Sequence, residues 1–551
     1  MEFDYIIIGA GSAGCVVANR ITSVDGNKVL LLEAGPKNTA LSLKIPAAIL
    51  SNLTSTKHNW AFQGEPEPEL NDRTLKHDRG KTLGGSSSIN GLVFIRGHAL
   101  DFDGWQQAGC TGWGFADVLP YFKKMETYEG GTDEYRGRDG PLHVHRSTPE
   151  DPLSIAFLQA GKEAGYPETN DISGYRQEGF GGFDRTVFKG ERWSTARAYL
   201  DPIRHRQNLT VQTNTQVQRL IFEGTRATSV IYKDKNGVSK IVEAKKEIIL
   251  SAGAVGSPHL LMLSGVGPAH HLQKNGVDLV KNIPGVGQNL NDHPDFVLKY
   301  KCKQPVSFWP KTKPLGKLKA GVEWLLTRKG VCTSNLFDSV ACVRSDKGVA
   351  YPDLQLCISP IAVDDKTWAP LQEHAFQIHV GLMRPQSRGH IELRDNNPSS
   401  PPRILANYLQ DPRDRVLMHK GIRLIRELVK QPAFAELCGE EIFPGEPVQS
   451  DAQLDASLNS HVYTQWHLSG TARMGSNNDK GAVVDVEGRV HGLQGLRVVD
   501  ASIMPSVTNG NTNAPTIMIA EKLSDAILGN TPLPRNEAEV WQSSNFENSQ
   551  R

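Results

Sequence analysis

The sequence predicts an α/β protein built around a parallel sheet, and three observations predict it. A short β-branched run, Tyr5-Ile6-Ile7-Ile8, leads at once into Gly9-Ala10-Gly11-Ser12-Ala13-Gly14. Strand, small-residue turn and helix follow one another again at Ile248 to Leu263 and at Leu496 to Leu528. The composition, 38% hydrophobic and 22% charged over 551 residues, is that of an ordinary globular chain long enough for several domains.

The first forty residues carry the clearest signal. Tyr5 to Ile8 and Val29-Leu30-Leu31-Leu32 are apolar throughout, as strands buried on both faces are. Cys15 to Ile21 between them has apolar residues at helical spacing. This is a βαβ unit with the dinucleotide fingerprint in place. Gly9 allows the tight turn, Gly11 lets backbone approach a pyrophosphate, and Gly14 lets helix and strand pack closely. The helix start at Ser12 and Ala13 offers unpaired N–H groups to phosphate. Glu33, 19 residues after Gly14 and followed by Ala34, is placed to accept from a ribose diol. That favours NAD or the adenosine half of FAD over NADP. A glycine-rich turn in another kind of α/β domain is the alternative.

A second cluster, Arg79 to Gly91, contains Leu83, Gly84, Gly85, Ser88 and Asn90. Such residues wrap closely around a planar ligand or a phosphate, or form a flexible loop. The middle strand ends in Ser251-Ala252-Gly253, and the late strand in Asp500-Ala501. Asn511 to Thr516 then opens an amphipathic helix running to about Leu528, with Pro515 in its first turn, where a missing N–H is tolerated.

Charge and cysteine usage exclude other classes. Lys plus Arg is 61 and Asp plus Glu 60, which leaves no electrostatic footprint for nucleic acid. The seven cysteines are scattered, without C-x-x-C or zinc-ligand spacing, so reduced thiols, a reducing compartment and no metal site are expected. No basic leader and no run of eighteen apolar residues is present, and a cytoplasmic protein without a transmembrane segment is expected. The polar stretch from about Asn530 to Arg551 is expected to be a disordered tail.

Several of these stretches resemble the glucose–methanol–choline (GMC) family of FAD-dependent oxidoreductases. Gly9 to Glu33, Gly80 to Asp103, Gly253 to Gly267, His467 to Gly475 and Val498 to Glu521 carry the resemblance, with Arg192 to Arg197 and Pro284 to Leu290 between them. Bacterial choline dehydrogenases and aliphatic alcohol dehydrogenases look nearest. The resemblance implies a Rossmann-like FAD-binding domain assembled from 1–155, 191–297 and 456–530. An α+β substrate domain with a mixed sheet would take 156–190 and 298–455, leaving 531–551 as a polar tail. Segment 298–455 lacks dinucleotide glycines and holds strand-like runs such as Asp353 to Ile358.

The resemblance also implies roles. FAD would contact Gly9, Gly11, Ser12, Ala13, Gly14, Glu33, Ala34, Leu83, Gly84, Gly85, Ser88, Asn90, Gly91, Val217, Ala252, Asp500, Ala501, Asn511, Asn513 and Thr516. Backbone N–H groups of Asn513, Ala514 and Thr516 would face the flavin edge. Of 17 histidines, His467 falls where the family has its general base, and Asn511 on its second active-site residue. A packed His and a helix N-cap are the plainer readings of these two. The implied reaction oxidises an alcohol, with the proton to His467 and a hydride to flavin N5. Ile89 stands where some members attach FAD through a His, so FAD is expected to be non-covalent; Leu468 replaces the Pro that usually follows the base.

Choline recognition would need an aromatic cage with a carboxylate. Asp338 falls about where choline-using relatives place a Glu, and Trp466, Trp309 and Trp324 are candidate cage members, although Asp338 also reads as a structural carboxylate. A neutral primary alcohol is therefore preferred, with choline as runner-up. A quinone-type acceptor is preferred to dioxygen. It would bring the protein to a membrane surface, yet no strongly basic amphipathic helix stands out to dock it. An oxygen-using oxidase, a redox-silent hydroxynitrile lyase and a flavin-binding scaffold are the alternatives.

Overall fold

Three distant stretches of chain supply the parallel strands that carry the dinucleotide turn. In the computed structural model, which describes residues 2–551, these strands lie in the order Leu209–Gln212, Val29–Leu32, Glu2–Ile8, Ser239–Leu250 and Leu496–Val498. Ile6 stands opposite both Leu30 and Ile248. Ile6, Leu30, Ile249 and Val498 are fully buried, so these runs have no polar face and belong inside a layered sheet. The long strand Ser239–Leu250 changes partners along its length. Its outer half pairs antiparallel with Arg226–Lys233, which pairs in turn with Gln216–Glu223.

The turn after the first strand is fixed by close approach. Gly9 sits at φ +97°, and a Cβ there would stand 2.5 Å from the Ser251 carbonyl oxygen. A Cβ on Gly14 would overlap the Gly9 carbonyl, so helix Ser12–Ile21 rests directly on the turn. Against this helix packs Asn513–Leu528, near the other end of the chain. Ser12 Oγ donates to Asn513 Oδ1 at 2.7 Å, and Arg20 grips Glu521 with two bonds of 2.8 and 2.6 Å. The Tyr199 hydroxyl also donates to Glu521, at 2.8 Å.

A second sheet is antiparallel, in the order Cys438–Phe443, Pro294–Cys302, Ala375–Leu382, Leu354–Ser359, Ser339–Val343 and Gly179–Gly182. The two-residue strand Tyr463–Thr464 joins it beside the start of Pro294–Cys302, with Thr464 opposite Pro294. That pairing brings the residues just before Pro294 against those just after Thr464.

One expectation is corrected. The stretch 531–551, expected to be disordered, has no helix or strand but lies along the folded surface. Leu533 and Asn536 N–H groups donate to the Tyr121 hydroxyl and the Ala116 carbonyl, and Ala538 is buried with Leu119 and Tyr135. Main-chain partners on the domain replace the secondary structure that its composition cannot form. Helix Pro314–Thr327 turns an apolar stripe to solvent, with Lys317, Lys319 and Glu323 on the same helix. Among the described residues no helix is long and apolar enough to cross a membrane.

Removing the charge from Glu521, which is fully buried, leaves Arg20 without its counter-ion. Glu521→Gln is expected to destabilise the protein by about 3 kcal/mol, read as a thermal midpoint several degrees lower. An unchanged midpoint would show that the two chain ends do not depend on this pair.

Candidate active site

A single cavity of about 2100 Å³ opens where the parallel strands end, the usual ligand position in open α/β sheets. Its wall includes Gly9, Gly11, Ser12, Ala13, Glu33, Ala34, Gly85, Asn90, Gly91, Val217, Ala252, Asp500, Ala501, Asn511, Asn513 and Thr516, together with Trp466 and His467. Gly14, Leu83, Gly84 and Ser88 stand behind that wall and shape it. The Gly84 N–H donates to the Ala10 carbonyl at 2.7 Å, and Ser88 Oγ to the Leu83 carbonyl at 2.8 Å.

At the dinucleotide end, Glu33 accepts the Ala10 and Gly35 N–H groups at 2.9 and 2.8 Å. Burial pushes its carboxyl up to about 7 against the pull of those two donors. Asp500 accepts from Ser257 Oγ and the Gly253 N–H, which ties the late strand's end to the middle turn. The backbone expectation for Thr516 is corrected. Its N–H and Oγ1 both donate to the Thr512 carbonyl, at 3.1 and 2.7 Å, so helix closure uses that N–H. Asn513 and Ala514 sit in the first turn, where N–H groups have no helical acceptor.

At the other end stands His467. Its N–H donates to Asp292 Oδ1 at 2.6 Å, and Trp466 before it takes φ +60°, with its N–H on Thr464 Oγ1 at 2.7 Å. Asp292 accepts from the hydroxyls of Tyr408 and Thr464 as well. The buried carboxylate therefore fixes the backbone on which the His467 ring sits. Asn511 is not the N-cap of the last helix, a position held by Thr512. Its Nδ2 lies 3.0 Å from His467 Nε2. An amide N–H carries no lone pair, so this contact makes Nε2 the acceptor and puts the ring proton on Nδ1. Nδ1 in turn lies 2.9 Å from His293 Nδ1.

Burial, then the neighbouring His293 and Arg79, holds His467 well below its ordinary value, and burial takes His293 down to about 3. Both rings are thus neutral near pH 7. A neutral imidazole with its lone pair on Nε2, beside an amide donor, can take a proton from a hydroxyl held between them.

Asp338 does not line the cavity. Its carboxylate pairs with Arg185 at 2.8 Å. Trp309 and Trp324 also lie off the wall; Trp324 is buried with its Nε1–H on the Gly190 carbonyl. Two aromatic groups do face the cavity, Trp60 stacked on Phe62 and Trp466 with Trp368 and Tyr463, the latter three with ring centroids 5.4 to 5.7 Å apart. Sequence reasoning missed Trp368, Tyr463, Asp292 and His293. The run Asn291-Asp292-His293, directly after the family-like Pro284 to Leu290, was the available signal.

These residues fit a long polar cofactor. A Cβ on Gly11 would meet nothing closer than 3.9 Å, so the fold itself leaves that space open at the helix start. Arg79 Nη2 and Asn511 Oδ1 are buried without a protein partner, and both residues line the cavity. An unpaired donor and acceptor in a wall are costly unless a ligand satisfies them. An FAD with its pyrophosphate near Gly11 and its ring system near Asn511 would use each of these features.

Comparison with known proteins agrees. Family models described as GMC oxidoreductase match residues 3–295 and 385–520. An oxygen-dependent choline dehydrogenase of Brucella ovis is 45% identical over 551 residues, all of both chains. One from Chromohalobacter salexigens is 47% identical over 98% of this chain and 97% of its own. Among solved structures, pyridoxine 4-oxidase from Mesorbium loti superposes with TM-score 0.88 at 30% identity, covering 96% of this chain and 100% of that one. A formate oxidase from Aspergillus oryzae RIB40, altered to study FAD modification, gives 0.90 at 27%, covering 96% and 98%. The chain belongs to the GMC oxidoreductase family, as an FAD-dependent enzyme acting on CH–OH donors.

Proposed function

We propose that this enzyme oxidises a neutral primary alcohol to its aldehyde, with His467 as base and Asn511 as the hydroxyl holder, and passes electrons to a quinone-type acceptor. The observation that carries the reading is the half-buried His467 Nε2···Asn511 Nδ2 pair on the cavity wall. A substrate hydroxyl that replaces this direct contact would donate to Nε2 and accept from Nδ2. As the O–H bond breaks, the proton goes to Nε2, while the Nδ1–H stays directed at His293. When bound, FAD supplies the two-electron acceptor for this oxidation. Gly9 to Ala13, Glu33 and Ala34, Val217, Ala252, Gly85, Asp500 and Ala501 would hold it, in a domain of segments 1–155, 191–297 and 456–530. Ile89 lines the cavity and offers no nucleophile, which supports a non-covalent cofactor.

The preference for a neutral alcohol rests on charge. Asp295 and Asp365 line the cavity but are paired with His379 and Lys299 at 2.7 and 2.5 Å, and Asp338 with Arg185. Asp365 and Asp338 are therefore ion-paired and are not free counter-ions for a quaternary ammonium, while Asp295 also accepts from Gln465, and Asp364 on the same wall accepts from Thr367 and main-chain N–H groups. Choline is the second reading, favoured by the Trp368, Tyr463 and Trp466 cluster and by the names of the relatives. Comparing kcat/KM for 1-butanol, benzyl alcohol and choline decides between them, and oxygen uptake against quinone reduction decides the acceptor.

His467→Ala is expected to lower kcat/KM by about 10² to 10⁴-fold with flavin content retained. Asn511→Ala is expected to lower it by about 10- to 100-fold. Because burial holds His467 below 6.5, the base stays unprotonated as pH falls to that value. The acid limb of kcat/KM is therefore expected below pH 6.5, and a limb well above it would contradict the assignment. Acid precipitation should release all the flavin into the supernatant; flavin left on the protein would overturn the non-covalent reading. Gly11→Ala should leave the apoprotein's thermal midpoint unchanged while weakening FAD retention, whereas Gly14→Ala should lower the midpoint itself. Equal effects on both quantities in the two variants would contradict the division of roles.

A further inference from the structure

Thirteen large apolar side chains are exposed among the described residues, and five of them lie on one helix, Pro314–Thr327. Leu315, Leu318, Val322 and Leu325 recur every three or four residues, with Leu326 beside them, so they form one stripe. Their exposures are 82, 65, 46, 53 and 81%, against full burial for Trp324 on the opposite side. The helix is therefore anchored inward and bare outward. Trp324 Nε1–H donates to the Gly190 carbonyl at 2.7 Å. Lys317, Ala320 and Gly321 on the inner side line the active-site cavity. The helix is thus a strip of cavity wall whose far face is apolar and open.

Charge around the stripe is one-sided. Between Phe308 and Gly330 stand Lys311, Lys313, Lys317, Lys319, Arg328 and Lys329, with Glu323 as the lone acid. The whole chain carries only +1 and Arg328 is paired with Glu191 at 3.3 Å, so the surplus here is a local one made by the lysines. A second copy of the same face would bring like charges together about a two-fold axis. An anionic lipid surface meets both needs, burying the aliphatic stripe and pairing with the cations around it.

We propose that helix Pro314–Thr327 docks the enzyme on the surface of an anionic bilayer, lying in its interface with the cavity wall against the lipid. Docking rests on the helix alone; its use for delivering electrons to a membrane-dissolved quinone rests on the acceptor proposed above. In that arrangement a lipophilic acceptor reaches the cavity beside Lys317 and Gly321 without crossing bulk water.

The test is flotation of the FAD-loaded enzyme with two kinds of vesicle, phosphatidylcholine alone and phosphatidylcholine with about a third phosphatidylglycerol. Wild type should float with the anionic vesicles and be released as salt is raised towards 1 M, where screening shortens to about 3 Å. Leu318→Glu/Leu326→Glu should lower the bound fraction roughly ten-fold, and Lys313→Glu/Lys319→Glu should do the same. Both variants should keep wild-type flavin content, thermal midpoint and turnover with a water-soluble dye acceptor. Turnover with a long-chain benzoquinone held in the vesicles should fall in step with binding.

The proposal is overturned if wild type stays with the soluble fraction for both vesicles. It is also overturned if Leu318→Glu/Leu326→Glu converts a dimer into a monomer with no change in flotation, which would make the face an interface between copies. Because flotation needs no turnover, its outcome is separate from whether any alcohol is oxidised.

Discussion

The joining of the chain's two ends sets where the chemistry can happen. The fingerprint turn lies in the first fifteen residues, and Asn511 lies near the far end. Ser12 to Asn513 and Arg20 to Glu521 lock the first helix to the last, while Leu496–Val498 completes the sheet beside Ser239–Leu250. Closing so long a loop is entropically unfavourable, and buried apolar strands with a paired buried carboxylate supply the compensation. Once the last helix is seated, Asn511 has little freedom, and the cavity runs from the βαβ turn to His467 as one continuous space.

The second constraint acts on the base. Asp292 receives the His467 N–H together with the hydroxyls of Tyr408 and Thr464. It thereby unites the second sheet, the loop before Pro294 and the segment around His467 at a single carboxylate. The imidazole above it is held neutral first by burial and then by His293 and Arg79 beside it. Such surroundings disfavour a resident proton. The ring is accordingly neutral before substrate arrives, which is the state a base needs. In the proposed reaction its low basicity makes proton transfer rely on tight positioning, which the Asn511 amide, 3.0 Å from Nε2, would provide.

Much of this was legible because its signals are local. The runs Tyr5 to Ile8, Val29 to Leu32, Ile248 to Leu250 and Leu496 to Val498 each announce a buried strand within four residues, and each lies in the parallel part of one sheet. His467 and Asn511 were found through the motifs around them. Features defined by distant partners were not legible. Asp292 gains its role from Thr464 and Tyr408, and His293 from His467, contacts between segments more than a hundred residues apart. Helix Pro314–Thr327 shows the same limit in another form. Its apolar spacing is that of a core helix, and the fold alone reveals that Trp324 faces in while Leu315 and Leu326 face out. Asp338 failed as a pocket residue for a similar reason, since Arg185, far away in sequence, draws its carboxylate aside.

The central claim is that His467 accepts the proton of an alcohol held in this cavity while FAD takes up two electrons. It is tested most directly by mixing the oxidised enzyme anaerobically with 1-butanol, benzyl alcohol or choline and following the visible flavin band. The account predicts rapid bleaching of wild type by at least one of them, most readily by a neutral alcohol, and bleaching slowed by about 10² to 10⁴-fold in His467→Ala. A wild-type flavin that no alcohol bleaches, or a His467→Ala protein that bleaches at the wild-type rate, would contradict it.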